Sequence, residues 1–93
     1  MATIFQPILD CKQRAIYANP AAPIKERIAE YNRELRKSVE PELYVQYCIS
    51  QCDIYVDTTM IIVTTQHVYP EVSEKTILRW IGKHKEPHHY LTA

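Results

Sequence analysis

Three cysteines, four histidines and scattered carboxylates are the side chains in this 93-residue chain whose types invite metal or nucleophilic chemistry. Cys48-x-x-x-Cys52 and His84-x-x-x-His88 have the look of two ligand pairs. The interval between them is far from that of a zinc finger, and Pro87 breaks a helical His pair. If Cys48 lies in a strand, a cysteine four residues on is too distant to share its metal. The reading is therefore two half-buried thiols, exposed histidines at 88 and 89, and no metal. A nucleophilic cysteine needs a base beside it, and His67 is the one histidine inside the folded pattern. Nothing in the spacing places it near Cys11, Cys48 or Cys52. Asp10, Asp53 and Asp57 show no spacing that reports paired acid–base work. A single glycine rules out Walker or dinucleotide loops, which need several for close backbone approach to phosphate. The sequence thus predicts no catalytic set, no cofactor and no small-molecule substrate.

The elements that must position any working surface begin with Pro23 to Val39. Ile24, Ile28, Tyr31, Leu35 and Val39 recur at steps of four, three, four and four, one stripe of an α-helix at roughly 100° per residue. Pro23 suits the first turn, Glu26 the positive end of the dipole, and Arg36 and Lys37 the negative end. Pro41 stops the helix. Around its polar side Lys25, Asn32, Arg33 and Arg36 share one flank and Glu26, Glu30 and Glu34 the other. That segregation suggests a basic contact surface for phosphates or an acidic protein, with the glutamates facing away.

Upstream, Thr3 to Gln6 reads as a first short strand. Pro7 to Asn19 reads as a helix lined by Ile8, Leu9, Cys11, Ala15 and Ile16, and Pro20 to Pro23 as a stiff linker. After Pro41 the period changes. Leu43, Val45, Tyr47 and Ile49 alternate with Tyr44, Gln46, Cys48 and Ser50, the signature of a half-buried strand. Ser50 to Asp53 supplies a turn, Ile54 to Val56 resumes the β signal, and Asp57 to Thr59 forms a hairpin tip. The β-branched run Met60 to Val68 then gives a further strand, ended by Pro70. Ser73 caps a last helix with Ile77, Trp80 and Ile81 on its apolar side and Gly82 placed to stop it. Residues 83–93 form a polar tail. The expected fold is α+β: a single domain in which a short antiparallel meander packs against the central helix, with a further helix near each end.

Lysine plus arginine equals aspartate plus glutamate, 11 against 11, so the formal net charge is zero. This argues against a general nucleic-acid coat or a polybasic membrane binder, though not against a local basic patch. A hydrophobic content of 46% argues for a real core and against disorder. An odd number of cysteines and no signal-like start point to reduced thiols in a cytoplasmic compartment. No apolar run is long enough to span a bilayer.

Two resemblances bear on function. Thr64 to Lys83 resembles a helix-turn-helix. In that family a VS–x–x–T–I–x–x–W–I segment forms the recognition helix, and Val72, Ser73, Thr76, Ile77, Trp80 and Ile81 match it. It departs upstream, where the first helix would be about two residues short and Pro70 stands where the turn normally carries glycine. Over its full length, from MATIFQPILDCKQRAIYANP through the basic-flanked helix to WIGKHKEPHHYLTA, the chain also resembles small phage proteins that inhibit type I-F CRISPR–Cas surveillance complexes. That resemblance implies a non-enzymatic protein in the host cytoplasm. It would dock on Cas subunits and guide RNA and prevent target DNA from pairing with the guide. The expected contact residues are Lys25, Asn32, Arg33, Arg36, Lys75 and Arg79, supported by tyrosines of the kind that anchor interfaces. The alternative is a small helix-turn-helix DNA-binding regulator.

Overall fold

The computed structural model describes residues 4–52 and 55–85. They form five helices: α1 (Gln6–Tyr17), α2 (Ile24–Ser38), α3 (Pro41–Ser50), α4 (Thr58–Val68) and α5 (Glu74–His84). Among the described residues there is no strand, so the expected α+β meander gives way to an all-helical chain. The chain divides into two compact units, Met1–Glu40 and Pro41–Ala93.

The first unit is a helical pair. Pro7 sits in the first turn of α1, where a missing N–H leaves no hydrogen bond unmade. Ile8, Cys11 and Ala15, three and four residues apart, are its buried positions. Ile4 and Phe5, within the expected first strand, form a turn ahead of α1, and Gln6 is already helical. Thr3 lies outside the described residues. Between the helices the chain turns over residues 18–23. Arg27 on α2 secures the turn, its guanidinium donating to the Ala22 carbonyl at 3.0 Å and the Pro20 carbonyl at 3.1 Å. α2 begins after Pro23 and ends at Val39, whose N–H bonds the Leu35 carbonyl. The apolar stripe is real but unevenly covered. Leu35 is fully buried and Val39 nearly so, whereas Ile24 is 72% and Ile28 51% exposed.

The second unit is where the expectation fails. α3 carries apolar side chains on nearly every side, and so short an apolar run satisfies a two-residue and a 3.6-residue period alike. Tertiary packing selects the helical reading. Tyr44, Cys48 and Cys52 succeed one another at four-residue steps, as do Val45 and Ile49, and Val45 and Ile49 are core residues. α4 is the β-branched run itself. Its buried positions Ile61, Thr65 and Val68 are spaced four and three apart. Asp57, expected at a hairpin tip, is instead the N-cap, its carboxylate accepting from the Met60 N–H at 3.1 Å. Each β-branched residue costs a few tenths of a kcal/mol of helix propensity. Burying an Ile or Val side chain returns about 1.5–3 kcal/mol, which decides the matter. Asp53 and Ile54, part of the expected turn and strand, lie outside the described residues, and Tyr55 and Val56 are in no regular element.

α5 packs against both α3 and α4. Its core comprises Val45, Ile49, Ile61, Ile77 and Ile81, ringed by Cys48, Cys52, Val56, Ile62, Val72 and Trp80. The Tyr44 and Tyr69 rings meet edge to face at 5.9 Å. Ser73 caps α5 as expected, accepting from the Thr76 N–H at 3.2 Å. Gly82, expected to stop the helix, lies inside it, and α5 runs on to His84. Lys83 and His84, assigned above to a tail, therefore belong to α5; residues 86–93 lie outside the described residues.

Candidate functional site

The segment from α4 to α5 is built as a clamped corner. After the Tyr69 N–H bonds the Thr65 carbonyl at 2.8 Å, the chain turns through Pro70 and Glu71. The Val72 N–H returns to the Tyr69 carbonyl at 3.0 Å. Gln66, from the last turn of α4, donates through Nε2 to the Val72 carbonyl at 3.1 Å. Val72 also packs on the core. A proline, a side-chain clamp and a Ser73 cap thus fix the angle at which α5 leaves, with no glycine in the turn. Pro70, a departure from the helix-turn-helix pattern in the sequence, lies in this turn, and the β-branched run Met60–Val68, expected as a strand, belongs to α4.

α5 buries Ile77 and Ile81, and turns Lys75, Leu78, Arg79, Gly82 and Lys83 outward. Lys75 and Arg79 stand one helical turn apart and have no ion pair among the described residues. Lys83 is already engaged, with Nζ 3.0 Å from Glu42 Oε2 on α3. His84 Nε2 lies 2.7 Å from the same oxygen. Hydrogen bonds from His84 and then Lys83 hold the Glu42 carboxyl below its ordinary range. This cluster ties the C-terminal end of α5 to the first turn of α3. No local pattern announces it, since Glu42 is 41 and 42 residues from its partners.

The other expected contact residues lie on α2, in the first unit. Lys25 is exposed, with no ion pair among the described residues. Arg33 is exposed but pairs with Glu30. Arg36 is exposed and already takes part in an interaction, and Asn32 is half-buried. The glutamates do not form a free opposite flank. Glu30 and Glu34 are half-buried, and Glu34 accepts from Arg14 Nε on α1 at 3.0 Å with Lys37 Nζ at 3.7 Å. The acidic side of α2 is therefore consumed in part by the packing of α1.

Of the groups weighed for chemistry, Cys11 lies in the first unit and Cys48, Cys52 and His67 in the second. Cys11 is buried, which raises its thiol pKa against the lowering effect of the neighbouring Arg14. Burial pushes the Cys48 thiol up to about 12. Cys48 and Cys52 are not held apart by a strand. They lie one helical turn apart, with Cys52 Sγ donating to the Cys48 carbonyl at 3.4 Å. His67 is exposed on α4. Among the described residues no three His, Cys, Asp or Glu side chains gather into a group that could hold a metal ion. His88 lies outside them. No described helix is long and apolar enough to cross a membrane. No protein-family model, curated protein or solved structure matches this chain.

Proposed function

We propose that this protein acts by binding rather than catalysis, and that α4, the turn and α5 form a helix-turn-helix that engages duplex nucleic acid with α5 as the reading helix. The observation that carries this reading is the clamped turn of Gln66, Pro70 and Val72, which presents Lys75 and Arg79 on an outward helix face. Arginine and lysine at the N-terminal half of such a helix reach guanine edges or flanking phosphates. Selection from a pool of random duplexes, followed by titration at physiological salt, tests it. Wild type should enrich a defined sequence, and Lys75→Glu with Arg79→Glu should lose it while keeping a helical circular-dichroism spectrum. Unchanged enrichment by the double variant removes α5 from the site.

A second reading follows the whole-chain resemblance: an inhibitor that docks on a type I-F surveillance complex and keeps target DNA from the guide RNA. The exposed cationic side of α2, with Lys25, Arg33 and Arg36, favours it. Charge-assisted contacts from such residues are worth about 1.5–3 kcal/mol each. Changing all three to Glu should abolish capture of the purified complex, and Lys75→Glu with Arg79→Glu should not. Capture that survives the α2 reversal defeats this reading.

A further inference from the structure

The face of the α1–α2 pair that carries the exposed part of the apolar stripe forms a groove of about 340 Å³. Ile16 from α1 and Ile24, Ile28 and Tyr31 from α2 line it, with Lys12 and Arg27 at its edges. Ile24 and Ile28 keep 72% and 51% of their surface in water, and Ile16 keeps 39%. So much large apolar surface on one side of a helix pair marks an interaction site rather than ordinary surface scatter. Its charge is one-sided: the lining contains no carboxylate. Lys25 follows Ile24 on the same helix, and neither it nor Lys12 has an ion pair among the described residues.

We propose that this groove receives an amphipathic helix of a partner protein, one with apolar anchors at i, i+4 and i+7 and acidic residues on its flanks. The concave apolar slot suits side chains projecting from a helix, and the cationic edges select the acidic flank. A second copy of this chain fits poorly. A two-fold contact through the groove sets Lys12, Lys25 and Arg27 against the same three cations of the other copy. A flat lipid surface would leave the slot unfilled. This inference goes beyond the α5 reading and does not rest on it.

Panning a displayed library of helical peptides against the full chain tests it, with affinities of enriched peptides measured by fluorescence anisotropy. The expected winners carry apolar residues at i, i+4 and i+7 between Asp or Glu flanks. Ile28→Glu, at a half-exposed position, should bind them at least about tenfold more weakly. It should keep a helical spectrum and the duplex binding of wild type, which separates failure here from failure of the α5 reading. Lys12→Glu with Lys25→Glu should switch the preference to lysine-flanked peptides, which keeps the test decisive even where Ile28→Glu disturbs the fold. Neutral or basic winners, or peptide binding indifferent to both variants, would overturn the proposal. So would self-association, or co-sedimentation with anionic phosphatidylserine vesicles, that Ile28→Glu abolishes.

Discussion

Gly82 stands on the outward face of α5 near Lys75 and Arg79, and a Cβ placed on it would meet nothing within 4 Å. In a helix interior glycine costs about 0.5–1 kcal/mol relative to alanine, because the unfolded chain has more freedom to lose. Gly82→Ala should therefore raise stability by roughly that amount in urea titration. If α5 lies against a duplex, the same change should weaken binding, because the smooth backbone at this point permits close approach. Glu42 is the opposite kind of residue, half-buried and bonded to two partners. Its carboxyl pKa is lowered by His84 and Lys83. Its contribution is thus fully present above the unfolded carboxylate value of about 4.3 and is lost as pH falls through the lower folded value. The stability advantage of wild type over Glu42→Gln should be full at about pH 5 and shrink progressively as the pH falls below the unfolded carboxylate value. An advantage that persists in strong acid would mean the carboxylate is not what holds α5 to α3.

Among the elements, α1, α2 and α5 are the ones a reader of the sequence can locate, because each combines a long-period apolar stripe with a proline or serine at its start. α3 and α4 are not, for a physical reason. Val45, Ile49, Ile61 and Val68 are β-branched, and in runs of ten or eleven residues their local preference points to strands. What reverses it is the joint burial of Val45, Ile49, Ile61, Ile77 and Ile81, a non-local term that no window of sequence contains. Asp57, with Met60 three residues on, is the one local clue, a helix N-cap that also fits a hairpin tip. The α2 stripe shows the complementary limit. Periodicity identifies the face but not how much of it is covered. Leu35→Ala, at a fully buried position, should cost about 2–5 kcal/mol, a large part of a small domain's stability. Ile28→Ala, half exposed, should cost less than about 1 kcal/mol. Equal losses in thermal melts would mean that Ile28 is buried in solution.

At the scale of the whole molecule, zero net charge removes the long-range attraction that most nucleic-acid binders use, so any duplex affinity must come from a few local cations. The expected contact residues divide between the two compact units. Lys25, Asn32, Arg33 and Arg36 belong to the first compact unit, Lys75 and Arg79 to the second. The sequence marks both groups as candidate contact residues, but it cannot tell which cations are spent, because spending depends on partners as remote as Glu42 from Lys83. On α5 and its cap the cations with no ion pair among the described residues are Lys75, Arg79 and Lys85. Each phosphate contact changes the slope of log K against log salt by about −0.9. Three per chain give a slope of about −2.7 for duplex binding, shallow beside that of a general coat protein. Lys75→Gln should flatten it by about one contact, whereas Lys25→Gln should leave it unchanged. Lys83→Gln should change it little, because that charge is already committed to Glu42. A slope that responds equally to Lys25 and Lys75 would mean that both units touch the duplex, and a slope near zero would mean that α5 does not bind phosphate at all.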